Sequence, residues 1–351
     1  MALIIGTPAS DTQLLGLPDE DDAIYGDVGE PDLELTVLGG DDRIFGRGGD
    51  DGISGDAPII TATGIGGNDV ISGGAGDDWL WGDADFQLAG RGGNDTLRQD
   101  AGSGRLVGDA TNLLTGAVGG NDTLVGAGVL VGDGYEMANA TGGADFLDAS
   151  RAAIECSLWG DCTVILDGTS RAGADRLLGG SAGDFLFGDA FMLDGVNGAK
   201  DTLNGNSGND VLYGEARFLA GTARGAGDVL VGGSGDDTIY GDAYQLSGSA
   251  IGGADQFYSG DGNDEIWGDG ILIDAAQGGR DKFYFKGSFG EDTIHDFRAG
   301  EDRISIKGTL FADATIETVG TDTVISTLSD DSITLKDFTG TLTIGVDLIF
   351  Y

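Results

Sequence analysis

Gly-Asp follows a short apolar run at Asp27, Asp56, Asp83, Asp109, Asp133, Asp161, Asp189, Asp242 and Asp269, and Glu215 fills the one gap. The steps cluster near 27 residues. Self-similarity at that period makes the chain a stack of equivalent units. A second column runs through Asp42, Asp69, Asp95, Asp122, Asp145, Asp175, Asp201, Asp228, Asp255 and Asp281. A third runs through Asp22, Asp51 and Asp78, skips the middle of the chain, and resumes at Asp184, Asp210, Asp237, Asp264 and Asp292. In the unit Gly225 to Ile251, Asp228 and Asp237 are nine apart, and each is followed two residues later by an apolar residue, Leu230 or Ile239. The next second-column residue, Asp255, lies 18 beyond Asp237. Each unit therefore reads as two nonapeptide turn-and-strand pieces with about nine residues inserted into every second turn.

Glycine supplies the positive φ of tight turns, and a three-residue strand turns only its central side chain inward. One inward column is Ile24, Ile53, Leu80, Leu106, Leu130, Leu158, Leu186, Leu212, Ile239, Ile266 and Ile294. The opposite column is Ile44, Ile71, Leu97, Leu124, Leu147, Leu177, Leu203, Leu230, Phe257 and Phe283. One apolar residue per strand makes no core alone, but coils stacked at ~4.8 Å make a continuous one. The expected fold is all-β: a parallel β-roll, or β-solenoid, of about ten 27-residue coils, each with a short turn on one edge and a wide turn on the other. The division expected is a roll with its N-terminal cap over residues 1–305 and a C-terminal β cap over 306–351.

Charge then decides what such a stack needs. The 351 residues include 60 Asp or Glu against 18 Lys or Arg, a formal net charge of −42. Phosphate would be repelled, which excludes nucleic acid as a simple partner and points to cations. Carboxylates at one point of every coil, ~4.8 Å apart, repel by roughly 3–4 kcal/mol per neighbouring pair at an effective dielectric near 20. Ten such pairs exceed the ~5–15 kcal/mol stability of an ordinary domain. Ca²⁺ answers this best, because it is hard, takes six to eight oxygens and tolerates irregular geometry, whereas Mg²⁺ demands a strict octahedron. The competing reading is that these Asp residues only cap turns through Asx hydrogen bonds. For the Gly-Asp column, with Asp83, Asp109, Asp189, Asp242 and Asp269 as candidate ligands, two readings stand: ligands of the ion, or residues that fix the start of the wide turn.

The motifs GGAGDDWLW (Gly73 to Trp81), GNSGNDVLY (Gly205 to Tyr213) and GGSGDDTIY (Gly232 to Tyr240) match G-G-x-G-x-D-x-U-x. That nonapeptide is the calcium-binding repeat of RTX proteins. Over roughly residues 4–305 the chain resembles the RTX, or haemolysin-type, repeat proteins. The resemblance implies a parallel β-roll with Ca²⁺ held between stacked turns by the second and third columns. The segment Asp292 to Ile306 is similar to one that closes such a roll, and the stretch ending at Tyr351 is similar to the C-terminal region of type I secretion substrates, with Asp347 before a terminal apolar run. A C-terminal strand pair without an export role is the alternative there. By this resemblance the chain is a secreted or cell-surface protein, exported unfolded by type I secretion machinery.

The chain departs from that family in two ways. Its coil has 27 residues where typical rolls have about 18. The inserted residues read D-A-x-x-L-x-G, as in Asp83 to Gly90, which suggests a third short strand or an ordered flap. In the third column Gly104, Gly128 and Cys156 stand where Asp is expected, so the short-turn edge should lose calcium between about residues 100 and 160. Cys156 and Cys162 can form one disulfide or stay as free thiols; they make no framework. The start, MALIIGTPASDTQ, lacks the basic region and long apolar run of a signal peptide, and no stretch approaches a membrane span.

His295, the one histidine, reads as structural, which largely excludes His-dependent triads and HExxH zinc sites. No non-repeat segment shapes a pocket for a carboxylate pair, and no T-x-T pattern recurs from coil to coil to support ice binding. The expected role is therefore non-enzymatic, structural or adhesive. The rival is a carbohydrate-binding or carbohydrate-active module using the aromatic column Tyr25, Trp81, Trp159, Phe187, Tyr213, Tyr240 and Trp267. Against it, inserted aromatics such as Phe86, Phe191, Phe218 and Tyr244 are expected to cover that column. Self-association through the ends of the roll is a further expectation.

Overall fold

The computed structural model describes every residue except 1–2, 8–9, 12, 19, 28–33, 36–37, 308–313, 328–330 and 351. Every regular element among the described residues is a strand. One coil shows the design. Val229–Ser234 runs along one side and a short turn carrying Asp237 reverses the chain. Thr238–Tyr240 forms the opposite side, a Gly241-Asp242 corner follows, and Ala243–Leu246 forms a third side before the wide turn leads to Gln256–Asp261. The inserted residues are thus a third strand rather than a flap.

Equivalent strands of successive coils pair in parallel and in register. Leu203 aligns with Leu230, Phe257 and Phe283 on the first side. Leu212 aligns with Ile239, Ile266 and Ile294 on the second. Ala216 and Leu219 align with Ala243 and Leu246 on the third. Among the described residues the three sheets hold 13, 15 and 10 strands. The solenoid has about ten turns spaced about 27 residues apart, as the period requires.

Both inward columns read from the sequence are fully buried between the first two sheets. Burying one such side chain contributes about 1.5–3 kcal/mol, and the column repeats that gain in every coil. The third sheet has its own smaller core, in which the Ala and Leu of D-A-x-x-L, such as Ala243 and Leu246, pack beside Ala250 of the returning loop. That pattern becomes a strand because the coil before and after it offers a matching edge, so three or four residues suffice.

At the C-terminal end, Ser332–Leu335 pairs in parallel with Glu291–Ile294 and carries the antiparallel strands Asp322–Ser326 and Thr315–Val319. Leu348–Phe350 pairs with Arg303–Ile306. Ile325, Ile333, Leu335 and Leu348 are buried in the main core, so this region closes the stack. Tyr351, the last residue of the terminal motif, lies outside the described residues.

Candidate metal centre

Each Asp of the second column precedes a strand of the first sheet, and its backbone N–H donates to Oδ1 of the equivalent Asp one coil on. Asp42 donates to Asp69, Asp95 to Asp122, Asp145 to Asp175 and Asp201 to Asp228, each at 2.7 Å. The third column repeats the arrangement on the short-turn edge, from Asp51 to Asp78 (2.9 Å) and from Asp184 through Asp210 and Asp237 to Asp264 (2.7–2.8 Å). Every carboxylate is therefore held by one oxygen at a fixed height in the stack. The other oxygen is buried and without a partner at Asp42, Asp69, Asp95, Asp122, Asp145, Asp175, Asp201, Asp228 and Asp255, and at Asp51, Asp210, Asp237 and Asp264. An unpaired buried charge of this kind is costly, and a whole row of them needs a common cause.

The Gly-Asp column faces the second column across the wide turn. One oxygen accepts the N–H of the Gly-Gly turn that leads into the next strand: Gly93 to Asp83 (3.0 Å), Gly120 to Asp109 (2.8 Å), Gly253 to Asp242 (2.6 Å). The other oxygen of Asp83, Asp109, Asp189 and Asp242 is buried and unpaired. The two readings of this column are compatible, since one carboxylate both fixes the turn and leaves an oxygen over. Asp56, Asp133, Asp161 and Glu215 stand in the same row with the same orphaned oxygen.

The orphaned oxygens converge with backbone carbonyls on notches that exist because glycine has no Cβ. A Cβ on Gly82 would collide with Asp95 Oδ2 and Gly108 O, and one on Gly92 with Asp109 Oδ1 and Asp83 Oδ2. On the short-turn edge a Cβ on Gly46 would meet Asp51 Oδ2 and Gly73 O, and one on Gly205 would meet Asp210 Oδ2 and Gly232 O. No group of three or more His, Cys, Asp or Glu side chains gathers at one point among the described residues. The notches instead pair one or two carboxylates with carbonyls, a set of hard oxygens that suits Ca²⁺.

Electrostatics agree with the geometry. Burial, reinforced by the neighbouring carboxylates, pushes Asp237 up to about 8 and Asp292 to about 8. Burial likewise raises Asp210 and Asp42 to about 7 and Asp51 to about 6. On the wide edge, burial with the facing carboxylates holds Asp83, Asp122, Asp201, Asp242 and Asp255 well above the ordinary value. Within the protein alone these groups hold their protons more readily than exposed carboxyls do; an ion between them works against that shift.

Every candidate of the three columns falls in its row and is buried. The carboxylate row of the short-turn edge is interrupted in the middle. Gly104 and Gly128 carry no ligand, and Ala149, Ala152 and Cys156 fill the space with core contacts. Three row members escaped the sequence pattern. Asp11 and Asp302 extend the second column, Asp11 donating to Asp42 and Asp281 to Asp302. Asp296 continues the Gly-Asp row, accepting from Gly268, Asp269 and Gly270. Asp302 carried a readable signal, Ile304 two residues on; Asp296 lacks the preceding Gly.

Residues 35–57, 63–85, 170–191, 197–216, 223–243 and 250–270 match the RTX calcium-binding nonapeptide repeat, a family described in four copies. This chain carries RTX repeats in several copies. Its RTX repeats are calcium-binding repeats, and the notches described above lie within and between them. The matched segments flank residues 86–169, the stretch where the short-turn row loses its carboxylates. Among curated proteins, none matches the chain.

From Trp159 on, the aromatic column of this RTX roll is a stack rather than a platform, while Trp81 lies tilted on Trp79. Trp159, Phe187, Tyr213, Tyr240, Trp267 and His295 lie face to face with centroids 3.8–5.1 Å apart. Tyr244 closes edge-on over Tyr240, while Phe86 stays exposed. The ring faces a sugar would stack on are occupied by neighbouring rings. Cys156 and Cys162 are free thiols in different cores.

Proposed function

We propose that this chain is a secreted calcium-dependent protein that folds on binding Ca²⁺ outside the cell and has a non-enzymatic, structural or adhesive role at a bacterial surface, matrix or host. The ligands in this reading are the second column from Asp42 to Asp281, the third column from Asp22 to Asp78 and from Asp184 to Asp292, and the Gly-Asp row including Asp83, Asp109, Asp189, Asp242 and Asp269. The observation that carries it is the row of buried carboxylate oxygens without partners, which in the second column from Asp42 to Asp255 face glycine notches shared with a backbone carbonyl. Calcium would neutralise facing carboxylates and bridge successive coils, so binding and folding are one event. In calcium-poor cytosol the chain stays expanded, a state suited to export as a thread, with residues 306–351 as cap and export signal to type I machinery.

The test is circular dichroism and hydrodynamic size of the whole chain in EDTA and then with millimolar Ca²⁺. A coil-like, expanded chain that gains β-structure and compacts on adding Ca²⁺, with Mg²⁺ ineffective, is expected. Equal folding in both conditions overturns the reading.

A further inference from the structure

We infer that two side-chain nitrogens, Gln99 Nε2 and Arg298 Nη2, stand in for calcium ions and end the ion rows from within the chain. This rests on the calcium reading above.

Gln99 lies where the neighbouring coil has Gly73: Thr96 aligns with Val70, Leu97 with Ile71 and Arg98 with Ser72. At that position a side chain enters the row, since a Cβ on Gly73 itself would collide with Asp78 Oδ2. Gln99 sends its amide there. Nε2 donates to Asp78 Oδ2 at 3.0 Å, to Gly76 O at 2.7 Å and to Ala101 O at 2.8 Å. A carboxylate oxygen and backbone carbonyls converging on one point is the same kind of donor set as in the notches further along the edge, where Asp210 Oδ2 faces Gly232 O and Asp237 Oδ2 faces Ser259 O, here centred on a nitrogen. The next coil has Gly104 in place of the ligand Asp, so the row stops at this amide.

Arg298 does the same at the end of the wide edge. Its guanidinium lies 2.7 Å from Asp269 Oδ2, 3.6 Å from Asp281 Oδ2 and 3.5 Å from Asp302 Oδ1, and Nη2 donates to Gly279 O at 2.8 Å. The three carboxylates are almost fully buried. Asp269 Oδ2 and Asp281 Oδ2 accept no hydrogen bond, and neither do the matching oxygens of the preceding coil, Asp242 Oδ2 and Asp255 Oδ2; the rungs differ in the ion pairs that Arg298 makes to the first two. A Cβ on Gly278 would strike Arg298 Nη1, whereas one on Gly252 would strike only carboxylate oxygens. The last rung therefore carries its cation covalently and is complete without an ion.

The test counts calcium bound per folded chain by elemental mass spectrometry after removal of free ion, for the wild type, Gln99→Glu and Arg298→Met. Gln99→Glu keeps the shape of the side chain but adds a carboxylate beside Asp78. Arg298→Met leaves Asp269, Asp281 and Asp302 without a cation. Each variant should fold in calcium and bind about one ion more than the wild type. A wild type without bound calcium overturns the calcium reading. A calcium-loaded wild type whose variants bind the same number or fewer, or fail to fold in calcium, overturns this inference.

Discussion

The backbone N–H of Asp201 donates to Asp228 Oδ1 at 2.7 Å, while Asp228 Oδ2 is buried with no partner. One oxygen positions the carboxylate and the other is left for a ligand. Asp228→Asn keeps an acceptor for Asp201 but removes the charge and puts an amide N–H₂ into the notch. In saturating calcium this should cost about 3–5 kcal/mol, the scale of losing one partner in a buried ionic cluster. In the metal-free chain held folded at about pH 4–5 the same change should destabilise nothing, because no ion is lost there. Chemical denaturation under both conditions separates the two; equal losses in each would show that Asp228 acts only as a turn cap.

Acid should fold the calcium-free chain. Burial raises Asp51 to about 6, Asp210 to about 7 and Asp237 to about 8 in the folded state, against roughly 3.9 in an unfolded chain. A raised folded pKa means the native state binds more protons, so stability falls as pH rises. The contribution is complete below about pH 4 and is lost as pH climbs through 6 to 8. In metal-free buffer the β-signal should therefore be stronger near pH 4–5 than at pH 8. With calcium present the order reverses, since protons displace the ion. A metal-free chain that loses β-structure toward acid would contradict the burial of these rows.

Much of this was legible in the sequence because one period repeats both chemistries. Asp228 and Leu230 recur together as a pair in every coil from Asp42 to Asp281, so core and row are read from the same spacing. The third strand was only half legible: Ala243 and Leu246 show an inward pair, but a four-residue strand exists only where Ala216 and Leu219 supply the edge. Asp296 and Asp11 break the local motif and are recruited by register alone. Gln99 is the clearest case of information held outside any motif. Nothing in its neighbours marks it as a cation substitute until the alignment of Thr96 with Val70 places it at the glycine position.

Two glycine substitutions should behave oppositely. A Cβ on Gly82 would run into Gly108 O and Asp95 Oδ2, both belonging to the wide-edge notch. At Gly52 the nearest such atom is Asp22 O, 4.0 Å away. Gly52→Ala should stay within about 0.5 kcal/mol of the wild type. Gly82→Ala should lose calcium and, by hydrogen exchange, protection at Gly82 and Gly108, whose N–H groups bond Val107 O and Val131 O. If both variants keep the full calcium count, the notches are not where the ion sits.

The middle of the roll should be its weakest joint. Between Gly104 and Cys156 the short-turn edge has no row carboxylate, so stacking there rests on the wide edge and on apolar contacts of Leu106, Leu130, Leu147 and Leu158. Leu130→Ala removes a fully buried side chain and should cost about 2–5 kcal/mol. Added calcium should restore less of it than elsewhere, since only wide-edge ions bridge those coils in the proposed scheme. Each coil touches only its neighbours, so cooperativity across a weak coil falls as that coil is weakened. Calorimetry of the calcium-loaded variant should split one transition into two, while Leu230→Ala, flanked by Asp228 and Asp237, should shift the midpoint upward again as calcium rises. A single transition for Leu130→Ala with the same calcium response as Leu230→Ala would mean that the interrupted edge carries no less of the stack than the rest.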